Sequence, residues 1–202
     1  MKGIVKDAVI LCAITLIAGL ALGFVHEITL EPIAAAQLAA ATATYQEVYP
    51  EAASFQESDE LQAAVDSCAQ EISSQGYGNV TVDEAQEALD DSGNVIGYLI
   101  TSTSTDGYNG TIQVATGITA EGQITGIGFL SIDETPGLGM NAQQPEFKDQ
   151  FAGKSLQTFE VTKTSPSADN QIAAISGATF TSKAVTGAVN AAVYFAENCI
   201  AQ

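Results

Sequence analysis

The sequence predicts an α+β protein: a single N-terminal transmembrane helix, then one globular domain in which an antiparallel sheet is flanked by helices. Three observations carry this reading. Residues 8–25 are apolar and uncharged, just long enough as a helix to span a bilayer with little tilt. Residues 79–130 alternate apolar and polar side chains between turn signals, the period of half-buried strands. Residues 181–198 place Val185, Ala188, Val189, Ala192 and Phe195 on one helical stripe. A chain of 202 residues supports one sizeable core plus an anchor. The expected divisions are 1–28 for a cytoplasmic N-terminus and transmembrane helix, 29–78 for a helical connector packing on the domain, and 79–202 for the ligand-binding domain.

The elements follow in order. The apolar run exceeds the usual signal-peptide core, which favours an anchor over its rival, a cleaved secretory signal. Lys2 and Lys6 flank its short end, so that end is expected in the cytoplasm and the globular domain outside a cell (inner or cytoplasmic) membrane crossed once. His26 stands at the membrane boundary as an interfacial residue. Alanine-rich residues 27–51 read as a helix leaving the bilayer and stopping before Pro50. A second helix, 58–73, starts at the cap-like Ser58 and spaces Leu61, Ala64, Val65 and Cys68 along one face. Strands are expected at 81–89, 95–103, 111–118 and 124–130, as an antiparallel meander punctuated by Asp106-Gly107, Asn109-Gly110 and Glu121-Gly122. A strand at 159–164, a short apolar run at 172–175 and the helix 181–198 complete the chain.

Charge and cysteines exclude several functions. Six lysines oppose 24 acids for a net charge of −18, and 23 of those acids lie beyond the apolar run. Such a surface repels nucleic acid and anionic headgroups. Cys12 falls within the apolar run, leaving Cys68 and Cys199 available to an oxidising compartment. Their spacing matches no metal or redox motif, and whether they pair is left open. With no histidine in the domain, no catalytic set for a Ser or Cys nucleophile forms. No metal is expected, and any chemistry belongs to a bound cofactor.

The distinctive residues converge on 175–185, where a short apolar strand meets the last helix through Ser176-Gly177-Ala178-Thr179. Such a junction aims backbone N–H groups and the positive end of the helix dipole at one spot, a ready seat for a phosphate. Hydroxyls at Ser176, Thr179, Thr181 and Ser182 surround it, and Gly177 and Ala178 allow close approach. The bland alternative is a helix cap. A second block, Glu134-Thr135-Pro136-Gly137-Leu138-Gly139, reads as a turn in which Pro136 pre-sets the first central position and Gly137 takes positive φ. On residues alone, both blocks are also compatible with a flavin-free extracytoplasmic binding or sensor module.

Taken together, the anchor, the meander, E-T-P-G-L-G and S-G-A-T resemble the FMN-binding domain family. The likeness is to the G subunit of Rnf ion-translocating ferredoxin:NAD oxidoreductase complexes and, more distantly, to the C subunit of the Na+-translocating NADH:quinone oxidoreductase. The resemblance covers 80–198 and, more loosely, the whole chain. It implies a covalent FMN, linked by a phosphoester to Thr179. Ser176, Gly177, Ala178, Thr181, Ser182, Glu134, Thr135, Gly137, Leu138 and Gly139 would line the site, with Leu138 over a face of the ring. It also implies an electron-relay subunit, not catalytic by itself, in a translocase that couples ferredoxin/NAD chemistry to Na+ or H+ movement. Partners would be the other membrane and peripheral subunits, and an FMN transferase for maturation. A covalent-FMN domain of another membrane reductase is the neighbouring alternative. Two positions depart from the pattern: Ala173 stands where relatives commonly carry an aspartate, and Ile132 where they often carry a histidine.

Overall fold

The computed structural model describes residues 2–200. Helix α1 spans Lys2–Val48, and the chain divides between Ala41 and Thr42 into two compact units. The first unit is helix alone, with Leu11, Leu16, Leu20 and Phe24 exposed along it. Among the described residues α1 is the one helix long and apolar enough to cross a membrane. Pro32 lies inside it, where the missing N–H and the ring clash cost about 3 kcal/mol. As the sequence predicts, the helix stops before Pro50.

The second unit is built on a five-stranded antiparallel meander in the order β1-β2-β3-β4-β5. The strands are β1 Ser54–Glu57, β2 Val80–Leu89, β3 Val95–Ser104, β4 Ile112–Thr119 and β5 Ile124–Ile132. Helices α2 (Asp59–Ser74) and α4 (Thr179–Asn198) cover one face. Alternation dictates which residues they meet. Ile100 and Ile118 pack with Leu61, Val65, Ile72, Ala191 and Phe195, and Val114 packs with Val185, Ala188 and Val189. Their neighbours Leu99 and Ala115 point the other way, onto Val48 at the end of α1. That helix end is seated on bare backbone, since a Cβ at Gly128 would stand 2.6 Å from both Thr44 Cγ2 and Val48 Cγ2. Thr125 Oγ1 donates to the Val48 carbonyl at 2.7 Å and the Tyr49 hydroxyl donates to the Ile96 carbonyl at 2.8 Å.

Strand β1 and the turn of helix α3 (Pro145–Lys148) are elements that periodicity does not reveal. β1 is a four-residue edge strand, Ser-Phe-Gln-Glu, with mostly exposed side chains, so it has no buried face to print on the sequence. The expected strand near 159 and the apolar run near 172 become β6 (Glu160–Thr162) and β7 (Gln171–Ala173), a short parallel pair. Cys68 and Cys199 form a disulfide with Cα atoms 6.2 Å apart, so the pairing left open by spacing is made. It joins α2 to the residue that follows α4.

Candidate functional site

The end of β7 delivers the chain to the start of α4. Gln150 holds the strand end on both sides, its Oε1 accepting from the Ala173 N–H at 2.7 Å and its Nε2 donating to the Ala173 carbonyl. A turn follows, closed by the Ala178 N–H donating to the Ile175 carbonyl at 3.0 Å. Gly177 sits third in that turn with φ +78°, a conformation that costs side-chain-bearing residues about 1–2 kcal/mol. Helix α4 then begins at Thr179 with no side-chain cap and no acid in its first turn. Its first amide N–H groups point out with no carbonyl behind them in the helix.

The four hydroxyls of this segment have different fates. Ser182 is fully buried; its Oγ accepts from the Ile175 N–H at 2.9 Å and donates to the Ala178 carbonyl at 2.9 Å. This side chain locks the turn against the helix and faces inward. Thr181 is also buried. Thr179 is half-buried and Ser176 exposed, and neither hydroxyl is committed to a bond with a described residue. Two hydroxyls are therefore open to a ligand, and of these Thr179 stands at the helix start itself.

E-T-P-G-L-G forms a second turn of the same kind, with the Leu138 N–H donating to the Thr135 carbonyl at 3.1 Å and Gly137 at φ +76°. Pro136 and Gly137 thus take the central positions expected of them. The structure brings the two blocks together. A Cβ at Gly177 would lie 3.0 Å from Leu138 Cδ2, and one at Gly139 would lie 2.7 Å from Thr181 Oγ1 and, within its own turn, 2.6 Å from Glu134 Oε2. Glu134 is 4% exposed, and its Oε1 accepts from the Tyr108 N–H at 2.7 Å. Nearby, Asp106 accepts from the Asn79 side chain at 2.6 Å and the Asn79 N–H at 2.8 Å. These bonds, the side-chain one foremost, hold the Asp106 carboxyl below its ordinary range.

Two exposed aromatic side chains, Phe180 and Tyr108, are not singled out by sequence reasoning. Among the described residues beyond 41, the large hydrophobic side chains left exposed are Val95, Tyr108 (74%), Leu138 (43%) and Phe180 (70%). Phe180 follows Thr179 in the chain, Leu138 meets Gly177, and Tyr108 is tied through its N–H to Glu134. The signal for Phe180 was present: it lies inside the motif yet off the apolar stripe of α4. Tyr108 had none, because its place depends on Glu134, 26 residues later.

An uncapped helix start without acids, an uncommitted hydroxyl upon it and exposed apolar side chains around it suit a ligand with one anionic and one flat apolar end. Residues 107–194 match the model of the FMN-binding domain. The chain is 36% identical to the G subunit of the Na(+)-translocating ferredoxin:NAD(+) oxidoreductase complex of Acetobacterium woodii, over 98% of this chain and 93% of that one. It is 28% identical to the G subunit of the ion-translocating oxidoreductase complex of Shewanella loihica, over 98% and 92%. The G subunit of the proton-translocating ferredoxin:NAD(+) oxidoreductase complex of Clostridium ljungdahlii is 40% identical over 48% of this chain and 52% of its own. Among solved structures, Shewanella oneidensis NqrC is similar with a TM-score of 0.46 and 22% identity, over 55% of this chain and 54% of that one. The chain belongs to the G subunits of Rnf-type ion-translocating oxidoreductase complexes.

Proposed function

We propose that this chain is an electron-transfer subunit of an Rnf-type complex that couples ferredoxin/NAD chemistry to Na+ or H+ translocation, and that it carries one FMN esterified to Thr179. The observation that carries this is the open Thr179 hydroxyl on an uncapped helix start, next to the exposed Phe180 and one turn away from Leu138, which meets Gly177. FMN supplies reversible electron uptake and release; the residues supply place and environment. Thr179 provides the attachment oxygen, and the first-turn amides of α4, that of Thr181 included, receive the phosphate. Ser176, Gly177 and Ala178 form the turn that clears its approach, and Ser182 fixes that turn. Glu134, Thr135, Gly137 and Gly139 shape the facing turn so that Leu138 covers the ring. We assign this role to residues 79–202, with 29–78 as the connector and 1–28 as the anchor.

Attachment requires a dedicated FMN transferase with FAD as donor. The Thr179 oxygen bonds to the flavin-side phosphorus, the P–O bond to AMP breaks, and AMP leaves with its electron pair. The hydroxyl proton passes to solvent. A covalent link suits a domain outside the cytoplasm, where a dissociated flavin is lost. The Cys68–Cys199 disulfide supports that placement, since such bonds persist in oxidising compartments. A lone apolar helix offers no ion path, so translocation belongs to the other membrane and peripheral subunits. Intact-mass measurement tests the assignment: native protein should exceed the bare chain by one FMN less one water, and Thr179→Ala should remove the increment. A native chain at its bare mass would sink it.

A further inference from the structure

We propose that Lys183 is a positioning residue for the phosphate at Thr179, neutralising it during transfer and in the finished ester. The proposal rests on the attachment reading above. Lys183 lies four residues after Thr179 on α4, so the two side chains share one helix face about one turn apart. Each Cα–Cβ bond of a helix tilts toward the N-terminus, so a long side chain covers the turn before its own Cα. For Lys183 that is the turn of Thr179.

The ordinary roles of a helix lysine do not account for it. Residues three and four positions away are Thr179, Phe180, Thr186 and Gly187, which offer no acid for a helical ion pair. Lys148 pairs with Glu47 and Lys154 with Asp169, whereas Lys183, like the loop residue Lys163, is exposed and makes no ion pair among the described residues, and of these two Lys183 alone stands on α4. Near an N-terminus its charge opposes the helix dipole, a local disadvantage that an anion at the helix start would reverse. In a chain of net charge −18 with only six lysines, the general field repels a phosphate. A phosphodiester on Thr179 keeps one negative charge, and a lysine ammonium meets it as a point charge with three donors.

The test uses full-length protein in detergent with its transferase, comparing wild type with Lys183→Gln, Lys183→Arg and Lys183→Glu. Initial rates against FAD should show the apparent KM raised about 2- to 5-fold in Lys183→Gln, the range of an exposed ion pair. Lys183→Glu should be worse and Lys183→Arg near wild type, with kcat little changed and the differences shrinking in high salt. Independently, the 31P resonance of the flavinylated protein at neutral pH and low salt should differ between wild type and Lys183→Gln and be restored in Lys183→Arg. If wild type carries FMN and Lys183→Gln reproduces both its KM and its 31P resonance, the proposal is overturned while the attachment stands. If wild type carries no FMN by intact mass, both fall.

Discussion

Substituting Gly139 by alanine should pry apart the two turns that make the site. Gly139 is buried, and its new Cβ would lie 2.6 Å from Glu134 Oε2 and 2.7 Å from both Glu134 Cβ and Thr181 Oγ1. Optimal separation of non-bonded carbons is about 3.5–4.0 Å, so the E-T-P-G-L-G turn must open between Glu134 and Gly139 and withdraw from Thr181 on α4, each by roughly an ångström. Glu134 cannot simply swing aside, because its own Cβ is one of the clashing atoms and its Oε1 holds the Tyr108 N–H. Overpacking of this kind costs about 1–3 kcal/mol, and in a chain of this length each kcal/mol lowers Tm by about 2–4 °C. Gly187→Ala is the matched control, since its Cβ is equally without room, against the Tyr77 carbonyl, but in mid-α4. Thermal unfolding read by circular dichroism, together with flavin content per chain by intact mass, separates the two. Both variants should lose Tm, and Gly139→Ala alone should lose flavin. A Gly139→Ala protein with wild-type Tm and full flavin would refute the packing of Glu134 and Thr181 on this glycine.

Other variants probe the supports of the site. Replacing both Cys68 and Cys199 by serine opens a loop with a sequence separation of 131; denaturant unfolding should show a loss of about 2–5 kcal/mol, and an unchanged midpoint would contradict the bridge. Ser182→Ala removes one buried and one part-buried hydrogen bond and should cost about 1–3 kcal/mol, whereas Ser176→Ala should leave the midpoint alone; equal effects would deny Ser182 its locking role. Asp106→Asn should destabilise the domain with a defined pH dependence. The native carboxyl lies below its ordinary value of 3.8 because Asn79 donates to it, so its contribution is full above that value and lost as pH falls through the lower native one. The gap between wild type and variant should therefore be constant near neutrality and close below about pH 4; a gap that persists in acid argues against the Asn79 bonds as its source.

The sheet was legible because its long strands bury large apolar side chains at every second position on the helix-covered face. Val-Ile-Gly-Tyr-Leu-Ile and Ile-Gln-Val-Ala-Thr alternate with the period that two covered faces of unequal polarity impose, and glycine turns mark their ends within a residue or two. Helix α4 was legible for the same reason at its own period. The edge strand β1 was not, since it buries almost nothing, nor were the parallel partnership of β6 with β7 and the Cys68–Cys199 pair, which depend on distant segments meeting in space. At the site, the turn chemistry of Pro136 and Gly137 and the hinge at Gly177 followed from residue type. The division of labour among hydroxyls did not: Ser182 and Thr179 look alike in sequence, and only packing turns one inward and leaves the other open.

Covalent attachment at Thr179 is tested most directly by the intact mass of the protein from its native membrane, followed by peptide mapping. One FMN less one water should appear on the peptide containing Thr179, retained in Ser176→Ala and absent in Thr179→Ala. The same increment persisting in Thr179→Ala, or moving to Ser176, would contradict the assignment.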